Sequence, residues 1–140
     1  MFIIGLDNGI CVKSNKQTIV RSDLPQGIEY PFDKDYDNEV EIAYWRKCWG
    51  LRNDIMNTFG WLTTSPDKWK FEIDTPAQVI NLIELIAKWL DRERWENESG
   101  SIWEYDYIKN ILIENIINFA LIYEYMTTHP DVYLEFYDSY

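Results

Sequence analysis

Five residues in one short stretch carry the side chains best suited to recognition chemistry. Tyr44, Trp45, Arg46, Trp49 and Arg52 stand within NEVEIAYWRKCWGLRNDIMNTF at residues 38–59. Arginine offers a flat fork of donors that matches carboxylate and phosphate oxygens, and an indole offers a face on which a planar or cationic group stacks. Read as a helix, the stretch lines Trp45, Trp49 and Arg52 along one side and Arg46, Gly50 and Asn53 along the adjacent one. A mixed guanidinium and indole surface of that kind suits a nucleotide. The structural alternative for the same residues is that the indoles are core, while the cations lie along the surface or pair with Glu39, Glu41 and Asp54.

A second chemistry is acidic. The chain has 140 residues and a formal charge of −11, and its last forty residues hold seven acids and one base. A field of that sign repels duplex nucleic acid and draws in a basic protein surface, so Asp131, Glu135 and Asp138 are the expected partner-binding residues. The plainer use of such acidity is solubility. The 23 aromatic residues (Trp 7, Tyr 10, Phe 6) are more than one small core hides, which leaves some for contact patches.

Other chemistries find little support. Cys11 and Cys48 form no CxxC pair and His129 is the only histidine, a set that speaks against a zinc site and for reduced thiols. Asp33, Asp35, Asp37 and Glu39 alternate like the start of a calcium loop, but the twelfth residue counted from Asp33 is Tyr44 and the bidentate acid is missing. There is no phosphate-binding loop, dinucleotide glycine motif, HExxH or nucleophile elbow. Neither a catalytic residue, a metal nor a cofactor is therefore assigned, and a binder is preferred to an enzyme. The start of the chain lacks the basic and apolar regions of an export signal, and the run from Ile111 to Met126 is broken by Glu114, Asn115, Asn118 and Glu124. No membrane association and a cytoplasmic location are expected.

The elements that must position these groups read as a small α+β domain spanning residues 1–140. Phe2 to Leu6, the turn Asp7-Asn8-Gly9, Ile10 to Lys13 and Gln17 to Arg21 suggest an N-terminal hairpin or three-stranded meander. A helix over 38–59 follows, with Asp37 or Asn38 as cap, Gly50 as a weak point or place of close packing, and Gly60 as stop. Residues 61–68 are a connector, and residues 69–73 alternate as a half-buried strand. Thr75-Pro76-Ala77-Gln78 is a capping box with proline at the first helical position, opening a helix over 76–95 whose charged end, Asp91 to Glu98, is solvated. A long helix over 101–128 comes next, in which Asn115 and Asn118 are either buried polar contacts or, the preferred reading, at the solvent edge of its stripe. Val132, Leu134 and Phe136 alternate with Tyr133, Glu135 and Tyr137 as a last strand. A mainly antiparallel sheet packed against about three helices is the expected result.

Three pieces of the chain suggest a relationship. Glu41-Ile42-Ala43-Tyr44-Trp45-Arg46-Lys47, with Gly5-Leu6-Asp7 upstream and Phe136-Tyr137-Asp138-Ser139-Tyr140 at the end, resembles a group of small uncharacterised proteins of tailed phages and prophages. The resemblance carries no residue roles. It implies a phage-borne protein in an infected bacterial cell, for which three functions are expected candidates. One is an acidic, anti-CRISPR-like inhibitor of a host nucleic-acid-handling defence protein. Another is a small-ligand binder that sequesters a nucleotide signal, and the third is a structural or assembly protein of the particle.

Overall fold

The first and last strands meet in the middle of the sheet. The computed structural model describes residues 7–60 and 70–139. Its elements are β1 (Asp7–Ser14), β2 (Val40–Arg46), α1 (Trp49–Phe59), β3 (Lys70–Ile73), α2 (Pro76–Lys88), α3 (Arg92–Glu98), α4 (Tyr105–Thr128) and β4 (Val132–Ser139), with a short 3-10 turn at Arg21–Asp23. The four strands form one antiparallel sheet in the order β2-β1-β4-β3. The class is α+β. The strand expected at Phe2–Leu6, the connector 61–68 and Trp69 lie outside the described residues.

β3 and β4 keep strict alternation, with Phe71, Ile73, Val132, Leu134 and Phe136 buried on the inner face. A strand half covered by helices must present apolar side chains at every second position, and these do. Helices α2 and α4 supply the other layer through Val79, Leu82, Ile86, Leu112, Phe119 and Ile122, all buried with the inner strand residues in one continuous core. Gln78 N–H donates to Thr75 Oγ1 and Thr75 N–H to Gln78 Oε1, both at 3.2 Å, so the capping box forms as the sequence requires.

Several expectations are overturned. Asp7-Asn8-Gly9 is not a turn but the start of β1, and residues 17–21 make no strand. Glycine serves here because a Cβ at position 9 would lie 2.5 Å from the Tyr137 ring and 2.0 Å from Glu41 Oε1. Only the second half of the helix expected over 38–59 is helical, as Trp49–Phe59, and residues 40–46 are instead the strand β2. The cause is a β-bulge. Ile10 pairs with Ala43 and Cys11 with Glu41, which leaves Ile42 as the extra residue, and both Ile42 and Ala43 turn inward. The bulge breaks the period of two, so the inward residues Ile42 and Trp45 fall three apart and imitate a helix. Asp37 and Asn38 cap nothing; at φ 54° and 59° they turn the chain between Tyr36 and Glu39, which form a β-bridge.

The helix expected over 76–95 is two helices, divided after Lys88, with Asp91 accepting from Arg94 N–H at 3.0 Å to start α3. That charged segment is not simply solvated, since Trp95 in it is 1% exposed. Helix α4 begins at Tyr105 rather than 101. Asn115 and Asn118 are buried instead of exposed. Asn115 Oδ1 accepts from Trp45 Nε1–H, while Asn118 donates to the Ile42 and Glu29 carbonyls and accepts from Glu29 N–H, all at 2.9 Å. These bonds tie α4 to the bulged strand, where an unpaired backbone group would otherwise be left inside.

Candidate functional site

The five residues expected on one helix are divided between a strand and a helix. Tyr44 lies on the outer face of β2, packs against Phe32 with ring centroids 5.0 Å apart, and donates to Asp7 Oδ1 at 3.0 Å. Trp45, next to it, points inward and is 1% exposed. Arg52 Nη2 lies 2.6 Å from Asp138 Oδ2. Trp45 therefore does not share a surface with Trp49, and the Arg52 guanidinium is engaged by Asp138. Burial of Trp45 follows from the pleat, since neighbours in a strand face opposite ways.

Two of the five do come together, with residues that the sequence pattern did not single out. Lys47, at φ 54°, reverses the chain after β2, so Arg46 ends the strand and Trp49 begins α1 at the same corner. The segment between α3 and α4 closes this corner. Gly50 N–H donates to the Ser99 carbonyl at 2.6 Å, Trp49 packs over Gly100, and Trp103 Nε1–H donates to the Arg46 carbonyl. Trp103 stacks on Tyr107 at 4.8 Å and 20°. Ile102 is 65% exposed, Tyr107 58% and Trp49 38%. Ile102, Trp103, Glu104 and Tyr107 line a shallow depression, and an adjoining groove of about 320 Å³ holds Glu96, Glu104 and Asp106. Arg92 in that groove is taken up by Glu96 and Asp106 at 3.2 and 2.5 Å and lies over the Tyr105 ring.

The corner is therefore an apolar and aromatic platform with a cation at one side and acids at the other. Large flat rings lose little conformational freedom on contact, and such clusters supply most of the energy of protein interfaces. Trp103 precedes the cap of α4 and Tyr107 lies in its first turn, so their stacking depends on how the chain enters the helix and not on a helical spacing of four.

Of the three acids expected to meet a partner, two reach the surface in part. Asp131 accepts from Ser14 Oγ at 2.6 Å, a bond that holds its carboxyl below the usual carboxylate range. Glu135 lies on the outer face of the sheet, 2.8 Å from Lys13 Nζ and 3.8 Å from Lys70 Nζ. Asp138 differs: its side chain is fully buried, accepting from Arg52 and from Asn8 Nδ2–H, so the expectation of an exposed contact fails there. Its place on the inner face is set by the alternation that also buries Phe136.

The outer face of the sheet carries a further cluster around Glu41, whose Oε1 accepts from the Tyr137 hydroxyl. Desolvation, with Glu39 and Asp7 nearby, pushes the Glu41 carboxyl up to about 7. Burial likewise pushes the Cys11 thiol up to about 12 and that of Cys48 to about 11, so both are poor nucleophiles. Among the described residues no group of three or more His, Cys, Asp or Glu side chains is arranged to hold a metal. Asp35 and Glu39 of the calcium-like run are paired with Arg21 and Lys13. His129 stacks on Tyr125 at 3.9 Å. No described helix is long and apolar enough to cross a membrane. No protein-family model, curated protein or solved structure gives a significant match to the chain.

Proposed function

We propose that this chain is an acidic protein-binding inhibitor of phage origin that docks on a basic surface of a host nucleic-acid-handling defence protein, as anti-CRISPR proteins do. The observation that supports this reading is the exposed patch of Ile102 and Tyr107 around the half-buried Trp103, rimmed by Glu96, Glu104 and Asp106. Rings anchor, and the surrounding carboxylates select a partner rich in lysine and arginine and speed the encounter. The charge of −11 gives the long-range field that such a partner would follow.

The test is capture from host lysate by the wild-type chain and by an Ile102→Ala/Tyr107→Ala variant, with retained proteins identified. Both side chains are more than half exposed, so the variant is expected to fold normally. A nucleic-acid-processing protein should be retained by the wild type, released as salt rises, and lost in the variant. Retention of no such protein overturns the reading.

Sequestration of a nucleotide has less support, because Trp45 is buried, Arg52 is turned to Asp138 and Tyr44 donates to Asp7, so the five residues of the cradle read from the sequence do not converge. Titration with cyclic dinucleotides, followed by tryptophan fluorescence, tests it: quenching that Arg46→Ala abolishes would restore it.

A further inference from the structure

The groove beside the aromatic patch already holds a guanidinium. Arg92, at the start of α3, places Nη1 3.2 Å from Glu96 Oε1 and Nη2 2.5 Å from Asp106 Oδ1, with its Cζ 4.6 Å from the centre of the Tyr105 ring. The two carboxylates stand on different helices, Glu96 on α3 and Asp106 on α4, and one flat fork reaches both. Donors along the edges and a ring beneath the face make a setting for arginine rather than for the compact, strongly hydrated charge of lysine. Its walls are fixed: the Tyr105 hydroxyl donates to the Leu90 carbonyl, and Trp95, 1% exposed, donates from Nε1–H to the Trp103 carbonyl at 3.0 Å. The occupant is not fixed. The Arg92 side chain is 55% exposed, that of Glu96 56% and that of Asp106 79%, and ion pairs in so much water open readily. Glu104 on the same wall has no ion-pair partner among the described residues, so three carboxylates face one guanidinium and the groove stays anionic with Arg92 in it.

We propose that this groove is the docking site for an arginine of the partner, filled in the free chain by Arg92, whose place over Tyr105 the incoming guanidinium takes. The exchange rests on the docking reading above, and it fixes what the partner presents: an arginine beside an apolar side chain, the first for the groove and the second for the depression of Ile102, Trp103 and Tyr107.

Tethered in the same chain, Arg92 competes at an effective concentration far above that of a free cation. A basic group alone therefore does not dislodge it. The groove and the depression adjoin and share Trp103 and Glu104, so a partner that seats an apolar side chain in one brings the added binding energy that tips the exchange in the other. A chain of net charge −11 draws polycations of every kind, and a groove closed by its own arginine rejects those that lack the second contact. Selectivity comes at the expense of affinity, since a site that is open for only part of the time binds more weakly by that fraction.

The test uses the full chain, isotopically labelled, and three hexapeptides of equal charge in which arginine alternates with leucine, lysine with leucine, or arginine with serine. In NMR titrations the arginine-leucine peptide should shift the Ile102 and Tyr107 signals and return the Arg92 Nε–H signal to that of a free side chain, and the other two should bind more weakly. Arg92→Ala opens the groove, and the arginine-leucine peptide should bind it about fivefold tighter than the wild type. Lys109→Ala removes the same charge from α4 outside the groove and should gain less than about twofold. Both residues are exposed, so both variants are expected to fold. Equal binding of the arginine-leucine and lysine-leucine peptides, an unmoved Arg92 signal while the first of them binds, equal gains in the two variants, or no binding by any of these proteins overturns the exchange. Capture from lysate separates it from the docking reading. A partner that elutes from Arg92→Ala no later in a salt gradient than from Lys109→Ala overturns the exchange alone, whereas exchange with the peptide but capture of no nucleic-acid-processing protein overturns the reading alone.

Discussion

Asn118 shows how much one polar side chain can carry. It is 0% exposed and joins the carbonyls of Glu29 and Ile42 and the amide of Glu29 to α4. Asn118→Ala leaves those backbone groups without their partner, and a loss of about 2–4 kcal/mol is expected in chemical denaturation. Ile102 and Tyr107 predict the opposite. Alanine at either should change stability by no more than about 0.5 kcal/mol while weakening a partner, since a hot-spot truncation costs about 2 kcal/mol of binding. Cys11 and Cys48 give a chemical check, because burial keeps both thiols protonated. Alkylation near neutral pH should be slow in the folded chain and become fast on unfolding. Tyr44, Trp45 and Arg46 were legible as a recognition chemistry but not as a site, because three consecutive residues on a strand serve different faces.

At the scale of elements, the decisive place is the junction between β2 and α1. Gly50 sits in the first turn of α1, where helix propensity alone says that Gly50→Ala stabilises by up to about 1 kcal/mol. Tertiary packing says otherwise: a Cβ there would lie 2.0 Å from the Glu98 carbonyl oxygen, which is backbone and cannot step aside. The variant is therefore expected to lose at least about 2 kcal/mol in thermal or chemical unfolding, and to loosen the Trp49 and Trp103 corner with it. The caps act in the ordinary direction. Thr75→Ala removes the acceptor for Gln78 N–H and should cost about 1 kcal/mol. The start of α2 was legible because its signals are all local, whereas the bulge in β2 was not, because only pairing with β1 shows which residue is extra.

For the molecule as a whole, Glu41 sets a pH dependence whose sign follows from proton binding. Its ordinary value of 4.5 applies to the unfolded chain and about 7 to the folded one, so between these the folded state holds more protons. Stability is then highest toward the lower end of that window, falls as pH rises through it, and is level above, as far as this group decides. Glu41→Gln should flatten the curve between about pH 5 and about pH 7.5, measured as the midpoint of urea denaturation. The many acids lend the chain its net charge of −11, and binding of a basic partner should weaken steeply with salt.

The sequence by itself determined the α+β class, the capped start of α2, the body of α4, the alternating strand β4 and the acidic field. Each of these depends on residues within a turn or two of one another, or on composition. Only the tertiary structure decided that residues 40–46 are a strand, that Trp45 and Asp138 are interior, and that Arg46 and Trp49 share a corner with Trp103 and Tyr107. Those outcomes depend on partners far along the chain: Trp45 meets Asn115 across 70 residues, Arg52 meets Asp138 across 86, and Asn8 meets Asp138 across 130. A local period cannot encode which distant strand supplies the neighbour, and in a sheet it is that neighbour which fixes register and therefore face.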